Sequence, residues 1–265
     1  MRGYAIKAAR EAKAHTNWID PDTGYEEAVK SFLDSILTES PDNRFLPGFL
    51  DFQKQVDYWG FLKSLAQIQV RLTAPGIPDT YQGTELWDLS LVDPDNRRPV
   101  NFPNRQALLQ ELENRLRDDK LALCVELLDH WSDGRVKLYV TTTLLRFRQA
   151  QPELFTRGDY LPLEAQGTKS GDLFAFARRL GNTWAVSIAP RLVTNQGPRP
   201  DKPPVGGKQL PKAKNWKANT ILLPSGAPAR WTDCFTGTGL NSDAKHLPVA
   251  QIFQSFPVAL LISGQ

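Results

Sequence analysis

The densest run of chemistry-bearing side chains lies between Pro75 and Val100: Pro75-Gly-Ile-Pro-Asp-Thr-Tyr-Gln-Gly-Thr-Glu-Leu-Trp-Asp-Leu-Ser-Leu-Val-Asp-Pro-Asp-Asn-Arg-Arg-Pro-Val100. Tyr81 and Trp87, with Trp59, offer flat apolar faces that suit the C–H faces of sugar rings. Gln82, Glu85, Asp88, Asp93, Asp95, Asn96, Arg97 and Arg98 add donors and acceptors, and planar groups such as Asp95 and Arg97 can grip vicinal hydroxyls. The pattern favours a polar-ligand cleft over a merely solvated loop. Bland readings stand beside it. Asp93–Pro94–Asp95–Asn96 is a strong turn sequence, and Arg97 or Arg98 could pair with Asp88 or Asp93 to tie the loop down. Glu85 and Asp88 are of the right type for a carboxylate pair that cleaves glycosides, but a structural ion-pair role is the favoured account.

The elements that must carry this run are helical on both sides. Ala5, Ala8, Ala9 and Ala12 recur at helical spacing and predict a helix over Tyr4–Ala14. Thr23–Glu26 reads as a cap before a second helix bearing Ala28, Val29, Phe32, Leu33, Ile36 and Leu37. Ser40–Asn43 breaks that helix. A third is expected over about Phe61–Leu72, then a short strand near Ile77–Tyr81, with Gly83 allowing a sharp turn after it. Asn104 opens expected helices at Gln106–Leu116, Leu121–His130 and Arg135–Gln149. From Tyr160 the segments turn short and β-like. Leu173–Leu180 and Thr183–Ala189 flank Gly181–Asn182, a hairpin signal. Thr220–Leu223, Ala229–Thr232, Val249–Phe253 and Val258–Ile262 are further expected strands, and together they suggest a small antiparallel sandwich.

Composition narrows the class. The 265 residues are 41% hydrophobic and 23% charged, with a net charge of only +3, which gives no case for a nucleic-acid or membrane-surface partner. No run of about 18 apolar residues predicts a membrane span. Two cysteines cannot frame a disulfide scaffold. Three scattered histidines suggest no zinc site. Met1–His15 lacks the apolar core of a secretory signal, so the cytoplasm is the expected location. The proline- and lysine-rich stretch Gly197–Lys217 reads as a stiff surface loop, and Gly207–Lys208 lacks the glycine and Ser/Thr of a phosphate loop.

The spacing Gly76-x-Pro78-x-x-Tyr81-x-Gly83-x-Glu85 resembles the eighth barrel strand and following loop of the α-amylase superfamily. The longer run Tyr81–Pro99 resembles one branch of that family more narrowly, the intramolecular transglucosylases. Lys7–Ile19 is similar to what that branch carries before its last barrel helix. Thr80 departs from the family, which has a larger apolar residue there. The resemblance implies an α/β plus all-β chain: the C-terminal part of a (β/α)8 barrel with a helical insertion over 1–157, then a C-terminal β-sandwich domain over 158–265. It implies conversion of the reducing-end α-1,4 bond of a maltooligosaccharide to an α,α-1,1 bond, with that glucan and the missing N-terminal part of the same enzyme as partners. A hydrolase of the same family and a non-catalytic glucan-binding remnant are the alternatives. The superfamily's three catalytic carboxylates follow strands four, five and seven and would lie upstream of Met1, so no catalytic residue is assigned here and the chain alone is expected to be inactive. Tyr81, Gln82, Glu85, Asp95, Asn96, Arg97 and Arg98, with Lys13 and His15, are the candidates for holding glucose or fixing the loop that does. No metal or organic cofactor is implied.

Overall fold

A computed structural model describes residues 1–91, 93, 95–116, 119–192, 194, 213–243 and 245–263. The proline- and lysine-rich stretch 197–212 lies outside the described residues. The chain forms two compact units, Met1–Asp57 with Leu89–Val100, and Tyr58–Asp88 with Asn101–Gln265.

In the first unit, helix α1 (Arg2–Ala12) ends at Lys13, whose φ of 54° is left-handed. Helix α2 (Thr23–Leu37) starts one residue after Asp22, whose carboxylate accepts from the Tyr25 backbone N–H at 2.9 Å. Asn43 joins α2 to the next helix. Its amide donates to the Ile36 and Thr38 carbonyls at the end of α2, and its oxygen accepts from the N–H groups of Phe45 and Leu46. These are the terminal groups a helix cannot satisfy internally. Helix α3 (Phe45–Thr73) is far longer than the expected Phe61–Leu72. Pro47 falls in its first turn, where its missing N–H costs no helical bond. In this unit α1 buries no residue and α2 buries only Glu26, while Thr16 and Leu46 are also buried.

The second unit takes α3 from Tyr58 onward and adds α4 (Phe102–Arg115), α5 (Lys120–Asp129), α6 (Arg135–Ala150) and α7 (Pro152–Thr156). α4 opens on Asn101 rather than on Asn104, because the Asn101 side chain accepts from the Asn104 N–H at 3.0 Å. Among the described residues nine strands follow: β1 (Asp159–Pro162), β2 (Ala165–Gln166), β3 (Leu173–Leu180), β4 (Thr183–Pro190), β5 (Thr220–Leu222), β6 (Arg230–Asp233), β7 (Gly239–Asn241), β8 (His246–Pro248) and β9 (Ala259–Ser263). They pair antiparallel as a six-stranded sheet in the order β1-β3-β4-β9-β6-β7 and a three-stranded sheet β2-β5-β8.

Both faces of the larger sheet are covered. Ala185, Ala189 and Leu260 join one core with Leu62, Leu65, Leu127, Val136 and Tyr139 of the helices. Their neighbours Val186, Ile188, Ala259 and Leu261 join a second core with Ile221 and Leu247 of the smaller sheet. Side chains alternate across a strand, so β4 faces both cores and is buried from Trp184 to Pro190.

Two expected strands are corrected. Ile77–Tyr81 is irregular: Pro75 and Pro78 lack backbone donors, and no described strand pairs with it. Val249–Phe253 gives the short helix α8 (Val249–Ile252), which buries Val249 and Ile252, with its C-cap Phe253 buried next to them, at i, i+3 and i+4.

Candidate functional site

The residues from Tyr81 to Asp88 belong to the second unit. Gly83 takes φ 93°, and the Tyr81 carbonyl accepts from the Thr84 N–H at 3.2 Å and its hydroxyl at 2.6 Å. The chain therefore reverses where expected, with glycine in the left-handed position. Tyr81 is 46% exposed, Gln82 is exposed, and neither side chain hydrogen-bonds to another described residue.

The rest of this turn is fastened from behind. Arg105 Nε donates to Glu85 Oε2 at 3.0 Å, Nη2 to the Gly83 carbonyl at 2.9 Å and Nη1 to the Asn101 carbonyl at 3.2 Å. Trp87 is not a free stacking platform. Its indole N–H donates to the Trp131 carbonyl at 2.6 Å, and Phe61 meets its ring edge-on at 5.4 Å. Lys137 holds the Leu86 carbonyl at 2.9 Å and lies 5.5 Å from the Trp87 ring. Burial pushes the Lys137 ammonium below its ordinary pKa.

Asp95, Asn96, Arg97, Arg98, Lys13 and His15 belong to the first unit. Asp95–Arg97 form one 3-10 turn. Asp95 accepts from the Leu91 N–H at 2.7 Å and pairs with Arg98, while Arg97 pairs with Asp93. The arginines thus tie the loop to itself. Asn96 Oδ1 is buried with no hydrogen-bond partner. Asp95, Arg98 and Leu91 line a cleft of about 360 Å³ with Tyr4 and Lys7 of α1. Lys13 and His15 do not line it; the His15 ring lies 5.0 Å from that of Tyr25.

Glu26 anchors the frame of this unit. It accepts two hydrogen bonds from Arg10 at 2.7 Å and one from the Thr16 hydroxyl at 2.7 Å. Those bonds, led by Arg10, hold its carboxyl down at about 2. Arg10 also lies 5.0 Å from the Trp18 ring.

Sequence reasoning missed Arg105, Tyr4 and Lys7. Arg105 carried one readable signal. A cation in the first turn of a helix opposes the helix dipole, so a partner outside α4 was to be expected. Among the described residues no cluster of three or more His, Cys, Asp or Glu could hold a metal ion, and no helix is long and apolar enough to cross a membrane.

No profile of a known protein family matches the chain. It is 32% identical over 262 residues to a curated relative in Mycobacterium tuberculosis that carries the name maltooligosyl trehalose synthase provisionally. That alignment takes in 99% of this chain and 28% of the relative. The solved maltooligosyltrehalose synthase of Arthrobacter ramosus superposes with a TM-score of 0.74 at 33% identity over 99% of this chain. By sequence and by fold, the chain is similar to the maltooligosyl trehalose synthases. A hypothetical maltooligosyl trehalose synthase of Sulfolobus tokodaii agrees, with a TM-score of 0.66 at 26% identity. The chain spans 28–30% of the length of these maltooligosyl trehalose synthases.

Proposed function

We propose that this chain is a C-terminal part of a maltooligosyl trehalose synthase, acting in trehalose biosynthesis. What carries the reading is the 33% identity and shared fold over 99% of the chain with a solved enzyme of that name. In this reading residues 1–157 are the C-terminal part of a (β/α)8 barrel with its helical insertion, and 158–265 are a sandwich domain. The catalytic carboxylates belong to the larger part of the polypeptide that relatives possess and this chain does not match.

The reaction breaks the reducing-end α-1,4 bond through a covalent glycosyl-enzyme, and the freed glucose attacks back through its anomeric hydroxyl to form the α,α-1,1 bond. Two successive displacements, first by a carboxylate and then by the glucose hydroxyl that releases it, each invert the anomeric centre, so the net outcome is retention and the steps balance without a cofactor. The released glucose must be held and water excluded, or the outcome is hydrolysis. Tyr81 offers an exposed ring for a sugar face, and Gln82 an uncommitted amide for its hydroxyls. Asn96, whose Oδ1 is buried, and Asp95 help to shape the Asp95–Arg97 turn in this reading. Glu85, Arg97 and Arg98 act one step back by fixing the loops. Lys13 and His15 are further glucan contacts in this reading.

The test is incubation with maltopentaose while reducing ends and free glucose are followed. The expected result is no change with this chain alone, and falling reducing ends with little glucose once an upstream-extended chain supplies the carboxylates. Free glucose accumulating with the extended chain would favour the hydrolase, and no turnover at all would leave a glucan-binding remnant.

A further inference from the structure

Within the second unit, a cleft of about 520 Å³ opens where the end of α6 meets one end of the six-stranded sheet, away from the turn at Gly83 in sequence and in lining residues. Phe147 and Ile262, both half-buried, give it an apolar wall. Gln151 projects from the end of α6, Asn182 and Thr183 from the β3–β4 hairpin, and Thr232 from β6. None of these four polar side chains hydrogen-bonds to another described residue, and no residue lining the cleft is charged.

We propose that this cleft is an accessory binding site for a neutral, hydroxyl-rich ligand, a glucosyl unit of an α-1,4-glucan. Apolar walls with a few convergent polar groups are the usual make-up of a small-molecule site, and the volume falls within the range of such sites. Two amides and two hydroxyls supply donors and acceptors together, which a polyol needs and an anion or cation does not. An aromatic wall beside them suits the C–H face of a pyranose. The absence of charge in the lining disfavours phosphate, carboxylate and metal ligands. The choice of glucose among polyols rests on the function proposed above; the existence of a neutral polar site does not. Such a site would hold the glucan chain to the protein without taking part in bond exchange.

The experiment is an amide chemical-shift titration of the full chain with maltotriose. It is run on the wild type and in a Tyr81→Ala background that removes the candidate contact on the Gly83 turn. The expected result is weak saturable binding that perturbs amides of Gln151, Asn182 and Thr232 equally in both backgrounds. Gln151→Leu with Thr232→Val should weaken it at least about tenfold, the loss expected for about two hydrogen bonds at roughly 0.7 kcal/mol each. Asn182→Ala, in an exposed turn, provides a second variant should the first pair disturb packing. Shifts confined to residues near Tyr81, or unchanged affinity in a folded Gln151→Leu/Thr232→Val or Asn182→Ala protein, would overturn the proposal. Binding of glycerol as strong as that of maltotriose would do the same. Because no turnover is read, failure here is distinct from failure of the transglucosylase assay.

Discussion

The Gln69 amide donates to the Ser187 hydroxyl at 3.0 Å, joining α3 to β4 across 118 residues of sequence. The same amide donates to the Ala259 carbonyl on β9 at 2.9 Å, and the Thr73 hydroxyl lies 3.0 Å from Ser187 Oγ. All three side chains are buried, on the side of the sheet whose apolar core includes Ala185, Ala189 and Leu260. A polar cluster inside an apolar layer fixes one position of the helix on the sheet, because any slide leaves buried donors unpaired.

Ser187→Ala should therefore cost more than a deleted surface hydroxyl. It leaves Gln69 with the Ala259 carbonyl and Thr73 with the Gln69 carbonyl. The expected loss is about 1–2 kcal/mol in denaturant unfolding. A Ser187→Ala protein as stable as the wild type would show that the cluster does not set the docking of α3.

Arg105 is the second place where one side chain holds several backbone segments. Arg105→Ala removes the ties to Glu85, Gly83 and Asn101 together. In the upstream-extended enzyme it should lower kcat/KM for maltopentaose by about tenfold or more, since small misplacements of a binding loop are costly. Arg105→Lys should recover only part, because an ammonium cannot reproduce the guanidinium fork. Unchanged kinetics in Arg105→Ala would remove the turn at Gly83 from the substrate site.

Much of the fold was legible, for reasons that differ by element. β3 and β4 could be read because Gly181–Asn182 marks their turn and fixes their register. The helices α2, α5 and α6 carry their own apolar spacing. β7 and β8 could not be read: three residues each, Gly-Leu-Asn and His-Leu-Pro, are too short for any period to show. α8 was mistaken because five residues with four apolar members, Val249–Phe253, fit either period. At the site, the turn at Gly83 was visible in its residue types, whereas the Glu85–Arg105 pair joins residues 20 apart through an intervening loop that no spacing rule covers. Arg97 and Arg98 were read both as ligand groups and as loop ties, and the pairs with Asp93 and Asp95 account for the second.

Gly134 offers a sharper steric test. It precedes α6 with φ 82°, and a Cβ there would stand 3.1 Å from the Trp87 nitrogen and 3.3 Å from Leu86 Cβ. Gly134→Ala combines a left-handed backbone penalty with a clash against the chain segment that carries Trp87. It should destabilise by about 1–3 kcal/mol and alter the near-ultraviolet signal of the Trp87–Phe61–Trp131 group. Loss of stability with an unchanged aromatic signal would place the strain in the backbone alone.

Two carboxyls, one in each unit, should answer pH in opposite directions. In the first unit, hydrogen bonds from Arg10 and Thr16 hold Glu26 at about 2 against an ordinary 4.5. A depressed carboxyl stabilises the fold fully above 4.5, and that contribution is lost as pH falls toward 2. In the second unit, burial pushes Asp233 up to about 6 against an ordinary 3.8, although Thr236 and the Phe235 N–H partly offset it. Here the unfolded chain ionises first, so the contribution of Asp233 to stability declines as pH rises from 3.8 to about 6 and stays reduced above that. Thermal melts across that range on Glu26→Gln and Asp233→Asn proteins separate the two. Glu26→Gln should blunt the acid-side loss, and Asp233→Asn should flatten the decline toward neutral pH. An Asp233→Asn protein that retains the wild-type slope between 3.8 and 6 would mean that the hydrogen bonds to Asp233 outweigh its burial.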